Sequence, residues 1–223
     1  MASHLDLEEQ EQLDQLKAFW KSYGNLITTV ITLGLLAFAG WNGWNWWQRE
    51  QAVKAGAMFE ELDRAAQAGD VDKVGRAFSD LKERHPGTSY AAQGALLTAK
   101  LQQDKGQSEP ARAALSWAVE KASEAEYRDI ARLRLAALQM DAKQYDEAAK
   151  TLDGVKGADF AALVADRRGD LALLQGKPDA AKAEFLKAYK GLDKGLDYRR
   201  LVEAKLATLG VAAPEDAASG VAR

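Results

Sequence analysis

The sequence predicts an all-α protein in which an N-terminal transmembrane helix is followed by a solenoid of paired helices. Three observations support this fold class. Residues 22–48 contain no Asp, Glu, Lys or Arg. The chain after residue 51 is rich in alanine and leucine at helical spacing, and four of its segments align with one another. None of the four prolines precedes Pro86, so long helices are permitted in the N-terminal region.

The apolar stretch "GNLITTVITLGLLAFAGWNGWNWW" at residues 24–47 predicts the transmembrane helix. Its segment 26–47 would form about 33 Å of helix, which matches a hydrocarbon core of about 30 Å. Thr28, Thr29 and Thr32 are expected to hydrogen-bond to carbonyls of their own helix, which lowers the cost of placing them in lipid. Tryptophan favours the lipid headgroup zone, so four residues near one end are the expected membrane-interface anchors. These anchors are Trp41, Trp44, Trp46 and Trp47.

Two alternatives to a membrane span exist. A buried core helix would normally show a polar face, and this stretch has none for several turns. A cleavable export signal gains some support from Ala37-Phe38-Ala39, which has the form of a cleavage site. The region before the stretch is acidic and about twenty residues long, however, whereas a signal begins with a short basic segment. The span is therefore favoured over both alternatives.

The orientation of the span cannot be determined from charge. Lys17 and Lys21 precede it, and Arg49 and Lys54 follow it. Because the two sides are nearly balanced, the positive-inside rule selects neither direction.

Internal repeats are the main feature of the rest of the chain. The segments "GDVDKVGRAFSDL", "GQSEPARAALSWA", "KQYDEAAKTLDGV" and "GKPDAAKAEFLKA" align without gaps. The alignment places in register Val74, Ala111, Ala148 and Ala181, each followed four residues later by Phe78, Leu115, Leu152 and Phe185. Successive spacings of 37, 37 and 33 residues bracket the period of tetratricopeptide repeats, which is about 34 residues. These segments are the predicted second helices of the pairs.

Small residues and helix breakers occur where paired helices require them. Residues expected at the closest approach of two helices are Ala99, Ala136 and Gly169. Glycines expected to end first helices in the left-handed conformation are Gly69, Gly106 and Gly176. Pro178 suits the first position of the helix after the last of these turns.

The predicted organisation has four parts. A short N-terminal tail occupies residues 1–23, the transmembrane helix residues 24–47, the tetratricopeptide-like repeat domain residues 48–210, and a disordered tail residues 211–223. The segment "LDYRRLVEAKLATLG" would be a capping helix that stops at Gly210. Whether the membrane helix continues into the first repeat helix stays open at this point.

Composition and motifs favour binding over catalysis. A net charge of -3 gives no support for a nucleic-acid partner, and the absence of cysteine removes thiolate chemistry. The only histidines, His4 and His85, lie in different regions. The segment "GDLALLQGKPD" departs from a phosphate loop in its glycine spacing and has Pro178 where Ser or Thr is needed. We therefore expect no enzyme activity, no cofactor and no metal.

First helices line the concave groove in tetratricopeptide arrays, so they supply the candidate partner site. The predicted groove residues are Leu96, Lys100 and Gln103 from one repeat, Ile130, Leu133, Ala137 and Met140 from the next, and Leu163, Asp166, Asp170 and Leu173 from the third. An apolar centre with mixed charge around it favours an extended apolar or amphipathic segment over an acidic tail. The alternative is that several of the apolar residues pack between helices.

One segment resembles a known family. "GADFAALVADRRGDLALLQGKPDAAKAEFLKA", with "VADRRGD" at residues 164–170, is similar to the signature of the YfgM family, the ancillary subunit of the bacterial SecYEG translocon. The order of acidic tail, apolar span and degenerate repeats extends the resemblance over nearly the whole chain up to Gly210. The heavier tryptophan cluster and the tail after Gly210 depart from the family pattern.

The resemblance implies a single-pass protein of the bacterial cell inner membrane, with a cytoplasmic N-terminus and a periplasmic C-terminal domain. It implies association with the SecYEG translocon and a PpiD-type periplasmic chaperone, hand-over of translocating polypeptides, and restraint of an envelope-stress response. Two other functions stay open, namely a scaffold for envelope assembly or cell-division complexes and a cytoplasm-facing membrane adaptor. Client proteins and oligomeric state cannot be inferred from the sequence.

Overall fold

The computed structural model describes residues 7–212, and these residues are all-α as predicted. The first six residues of the predicted tail 1–23, and nearly all of the predicted disordered tail 211–223, lie outside the described residues. The α-helices of the described part are α1 (Leu7–Gln67), α2 (Val71–Arg84), α3 (Ser89–Asp104), α4 (Ser108–Lys121), α5 (Ala125–Asp141), α6 (Tyr145–Asp153), α7 (Ala161–Leu174), α8 (Pro178–Gly191) and α9 (Asp197–Thr208). A short 3-10 turn, Ala158–Phe160, precedes α7.

Two compact units divide the chain, residues 1–51 and residues 52–223. The first unit consists, in its described part, of the N-terminal portion of α1. This portion contains the stretch that is long and apolar enough to cross a membrane, and only 6 % of its most apolar 18-residue window is buried. A core helix of a soluble domain would be mostly buried, so the exposure of this window argues against that alternative.

Three threonines satisfy their hydroxyls within the apolar helix, as the sequence predicts. Thr28 Oγ1 donates to Gly24 O at 2.8 Å, and Thr29 Oγ1 donates to Asn25 O at 2.7 Å. Thr32 Oγ1 donates to the carbonyl of Thr28 at 2.8 Å. An unpaired hydroxyl in lipid costs several kcal/mol, roughly, so these bonds remove a barrier to insertion.

The second unit is a run of helix pairs. The last turns of α1 precede α2, and the pairs α3/α4, α5/α6 and α7/α8 follow, with α9 at the end. Each of the helices from α2 to α8 contacts the next helix in the chain. Three clusters of buried apolar side chains, the first from α1 to α5, the second from α5 to α7 and the third from α7 to α9, form a continuous series along the array. This nearest-neighbour packing is the arrangement expected of a solenoid.

The predicted repeat register is confirmed at its most demanding positions. The four aligned small residues are all completely buried, and the four aromatic or leucine side chains that follow them are at most 5 % exposed. A shift of one residue in any second helix would rotate its side chains by about 100° and expose them. The alignment therefore identified the inward face of every second helix.

The predicted capping helix is also confirmed. Helix α9 ends at Thr208, and Gly210 follows it with φ of +72°. Val202 and Leu206 on one face of α9 are completely buried against α8. The remaining positions of α9 are mostly exposed, so the helix closes the apolar end of the array with a polar outer face.

Candidate partner groove

Helices α3, α5 and α7, which contain the predicted groove residues, lie side by side: α5 contacts both α3 and α7. Each is the first helix of its pair, and each is followed by a second helix on the opposite layer. The structure brings Lys100, Gln103, Leu133 and Ala137 together around one open cavity of about 630 Å³. We call this cavity the α3–α5–α7 groove. Its remaining lining residues are Ala99, Asp104, Leu115, Arg134 and Arg167.

Several predicted groove residues contribute mainly to helix packing. Leu96, Leu133 and Met140 are only 8 %, 9 % and 6 % exposed. Ile130 packs against the buried cluster of α1–α5, and Leu163 packs against the cluster of α5–α7. These side chains therefore lie mainly between the helices, and among these five only Leu133 also lines the α3–α5–α7 groove.

Leu173 is the one large apolar residue of the predicted set that is clearly exposed among the described residues, at 38 %. It lies on α7 and does not line the α3–α5–α7 groove. The structure thus leaves it outside the surface formed by Lys100 and Ala137.

Asp166 and Asp170 lie in an internal ion-pair network between α7 and α9, which we call the α7–α9 clamp. Lys205 Nζ is 2.8 Å from Asp166 Oδ1 and 2.7 Å from Asp170 Oδ1. Tyr198 Oη donates to Asp166 Oδ2 at 2.5 Å. Burial, followed by this hydrogen bond to Asp166, raises the pKa of Tyr198. Since the side chain of Asp166 is fully buried and its oxygens already have partners, it offers no free acceptor to a ligand.

Charged side chains of the groove differ in how they are paired. Lys100 Nζ lies 3.6 Å from Asp104 Oδ2 on the same helix. Arg167 Nη1 lies 3.1 Å from Asp170 Oδ2, which links the groove to the α7–α9 clamp. Arg134 Nη1 instead donates to the backbone carbonyl of Leu96 on α3, at 3.1 Å.

Arg134 and Arg167 were not predicted from the sequence as groove residues. Arg134 directly follows the predicted groove residue Leu133, and Arg167 directly follows the predicted groove residue Asp166. An arginine side chain is long enough to reach the neighbouring groove even when its Cα lies at the edge of the concave face. A search for basic residues adjacent to the predicted apolar face would have found both.

A second cavity, of about 550 Å³, lies between the last turns of α1 and α2. Its charged lining residues are Glu61, Arg64, Asp70, Lys73, Arg76 and Asp80. Three are acidic and three are basic, so the surface has no net charge. Lys73 and Asp70 already form an ion pair at 3.1 Å. The α3–α5–α7 groove has the stronger charge asymmetry and is the better candidate site.

The four predicted membrane-interface anchors are exposed on the N-terminal portion of α1. Trp44 and Trp47 lie one turn apart with ring centroids 5.2 Å from each other, and the rings are tilted by 37°. Trp41 and Trp46 are the most exposed of the set. Large exposed indoles at one end of an apolar helix are typical of a membrane interface.

Comparison with known proteins agrees with this architecture. The family described as "Tetratricopeptide repeat-like domain" matches residues 17–211. A protein of Neisseria gonorrhoeae named "Ancillary SecYEG translocon subunit" is 28% identical over 94% of this chain and 100% of its own length. Proteins with the same name from Haemophilus influenzae and Escherichia coli are each 32% identical. These two alignments cover 82% and 79% of this chain, and 89% and 85% of the relatives.

The family match over residues 17–211 includes the apolar stretch, the repeat array and the segment with "VADRRGD". The resemblance inferred from residues 164–170 is confirmed by relatives that align over most of the chain. With its tetratricopeptide repeat-like domain at residues 17–211, the chain belongs to the family of ancillary SecYEG translocon subunits.

Proposed function

We propose that this protein associates with the SecYEG translocon as a non-catalytic, membrane-anchored interaction subunit. The observation that carries the proposal is the alignment with three relatives of that name, one of which covers 94% of this chain and so matches the apolar span and the repeats together. The repeat domain supports it, because stacked helix pairs present extended surfaces suited to binding other proteins.

The apolar helix supplies the anchor in this proposal. It places the protein in the bacterial inner membrane as a single-pass protein. Anchoring converts a bimolecular encounter with the translocon into one confined to the membrane surface, and this raises the effective concentration of the repeat domain. Contacts that would be weak in solution can then be sufficient.

The finer part of the proposal concerns direction and partners. The N-terminus lies in the cytoplasm and the repeat domain in the periplasm. There the α3–α5–α7 groove receives segments of translocating polypeptides and passes them to a PpiD-type periplasmic chaperone. Restraint of an envelope-stress response would follow from this activity, because unfolded polypeptides that are handed over do not accumulate.

Copurification in a mild detergent tests the association. The full-length protein, expressed at its native level with a C-terminal affinity tag, should recover SecY in an amount well above that recovered by an unrelated single-pass protein with the same tag. Recovery of septal or outer-membrane assembly proteins without SecY would instead favour the scaffold function and would overturn the proposal.

A fusion of alkaline phosphatase to the C-terminus tests the orientation, with a fluorescent-protein fusion as the reciprocal control. We expect an active phosphatase and a dark fluorescent protein, since phosphatase folds only after export and the fluorescent protein does not fold in that compartment. The opposite pattern would indicate a cytoplasm-facing adaptor. The intact mass of the membrane-extracted protein excludes a cleaved signal if residues 1–39 are still present.

A further inference from the structure

We propose that the α3–α5–α7 groove binds an extended polypeptide segment that presents a carboxylate side chain to Arg134 and an aliphatic side chain to Leu133 and Ala137. The proposal rests on the proposed function, because it specifies the chemistry of the partner in the same groove. It selects an amphipathic segment with an acidic residue two positions away from an apolar one.

Charge asymmetry is the first observation. The lining of the groove contains three cations, Lys100, Arg134 and Arg167, and one carboxylate, Asp104. A concave surface with excess positive charge attracts anionic groups and disfavours cationic ones, because low-dielectric walls concentrate the field.

The pairing of these cations singles out one of them. Lys100 is already paired with Asp104, and Arg167 is paired with Asp170. Within residues 7–212, no carboxylate forms an ion pair with Arg134, whose Nη1 donates to the carbonyl of Leu96. A guanidinium has five N–H donors, so this one bond leaves donors available for a ligand.

Partial burial makes this arginine more receptive than a fully solvated one. Arg134 remains accessible from the groove, yet the surrounding protein desolvates the guanidinium and lowers its pKa from the ordinary value. Arginine stays protonated under all ordinary conditions, so desolvation raises the free energy of the charged guanidinium and does not remove its proton. A carboxylate in the groove offsets that cost.

Apolar neighbours define the rest of the ligand. Leu133 and Ala137 lie on the same helix as Arg134 and line the same cavity, with Leu115 behind them. Alternate side chains of an extended segment point to the same side about 6.6 Å apart. One side chain of the segment can therefore contact Leu133 and Ala137, while the side chain two residues further along reaches the guanidinium of Arg134. Gln103, exposed at the groove, can donate to and accept from the ligand backbone.

Binding of matched peptides to the full-length protein in lipid nanodiscs tests the proposal. The probes are three fluorescent ten-residue peptides, capped at both ends, in which pairs of valine alternate with pairs of glutamate, glutamine or lysine. In this pattern the side chains two positions apart on each face are one valine and one test residue. We expect the glutamate peptide to bind at least about tenfold more tightly than the other two, and this preference should fall as salt is raised.

Substitutions at position 134 locate the effect. Arg134→Gln should weaken binding of the glutamate peptide about tenfold and remove the preference, whereas Arg134→Lys should retain it in part because the charge remains. Arg200→Gln is the matched control, since Arg200 lies on α9 with an 85 % exposed side chain and should have no effect. Arg134→Glu should reverse the preference and favour the lysine peptide, a gain that misfolding could not produce.

Ala137→Trp separates this proposal from the proposed function, because the bulky ring fills the groove without altering its charge. One outcome would be that the three peptides bind equally and Arg134→Gln has no effect, while Ala137→Trp weakens binding. In that case the groove function stands and the carboxylate proposal is wrong. If Ala137→Trp also leaves binding unchanged, the groove itself is not the partner site. If sedimentation shows a dimer that Arg134→Gln dissociates, a second copy occupies the groove and the proposal is overturned.

Discussion

At the residue scale, every first helix of the described array ends with the same pair of backbone hydrogen bonds. At the end of α3, for example, Gly106 N donates to Gln103 O at 2.9 Å and Gln107 N donates to Gln102 O at 2.7 Å. This pattern is the Schellman motif, and it requires a left-handed residue at its centre. Glycine takes that position after α1, α3, α7 and α9, where φ lies between 70° and 74°.

After α5 the left-handed position is occupied by Lys143 and not by glycine, with φ of 60°. A residue with a Cβ is strained in this conformation, so Lys143→Gly should raise the free energy of unfolding by about 0.5–1 kcal/mol. Gly106→Ala is the reverse control and should lower it by about 1 kcal/mol. Equilibrium urea unfolding of the full-length protein in nonionic detergent measures both values. A destabilising Lys143→Gly would show that the lysine side chain has a role that outweighs backbone strain.

Gly169 on α7 permits a close approach to α8. A Cβ at this position would lie 2.9 Å from Cζ of Phe185 and nearer still to two other atoms of the ring. Phe185 is completely buried and cannot move aside freely. Gly169→Ala should therefore destabilise the repeat domain by about 2 kcal/mol.

Gly75, in the middle of α2, provides the matched control for this substitution. Apart from its chain neighbours and the backbone of its own helix, no atom lies within 4 Å of a Cβ built there. Gly75→Ala should therefore stabilise the domain by about 0.5–1 kcal/mol through helix propensity alone. The same urea unfolding compares the two alanine variants. Equal effects of the two substitutions would contradict close packing at position 169.

At the element scale, the α7–α9 clamp explains what the "VADRRGD" segment does in the fold. Its two carboxylates, Asp166 and Asp170, bind Lys205 on α9. Arg167 lies 3.8 Å from Asp166 and 3.1 Å from Asp170. Tyr198 at the beginning of α9 completes the hydrogen bonding of Asp166. The segment thus fastens the last helix of the array to the preceding pair. Its acidic residues act within the fold and do not form free charges of the groove.

Removing the shared cation should loosen this helix. Lys205→Met leaves the buried Asp166 beside Asp170 with less compensation, and we expect a loss of about 3 kcal/mol in the stability of the α7–α9 region. Lys182→Met is the control, because its partner Asp179 has a 95 % exposed side chain and the pair should be worth less than about 0.5 kcal/mol.

Hydrogen exchange of the full-length protein measures this prediction locally. In Lys205→Met, amides of α9 and of the end of α8 should exchange faster, while those of α3 should be unchanged, because solenoid repeats contact mainly their neighbours. Uniform acceleration across the array would contradict a local clamp.

At the scale of the whole molecule, local periodicity was sufficient to predict the repeats. Val74 and Phe185, at opposite ends of the alignment, are both completely buried because the spacing of small and large residues reports directly on helix faces. The clamp could not be predicted in the same way. Lys205 lies 39 residues from Asp166, and no local pattern indicates which cation a distant carboxylate will meet.

The composition of the groove was predicted only in part, for a similar reason. Lys100, Gln103, Leu133 and Ala137 were identified from register and line the observed cavity. Arg134 was not identified, because its contribution depends on the reach of a long side chain across to α3 and not on the position of its Cα. Side-chain reach is a property of tertiary structure.

The most direct test of the account is photocrosslinking in living cells from within the groove. A photoreactive amino acid at position 137 should crosslink to SecY, to a translocating polypeptide or to a periplasmic chaperone. The same residue at position 150, which is exposed on α6 outside the groove lining, should give much weaker products. Equal crosslinking from both positions, or products that contain only cytoplasmic proteins, would contradict a membrane-anchored groove that serves the translocon.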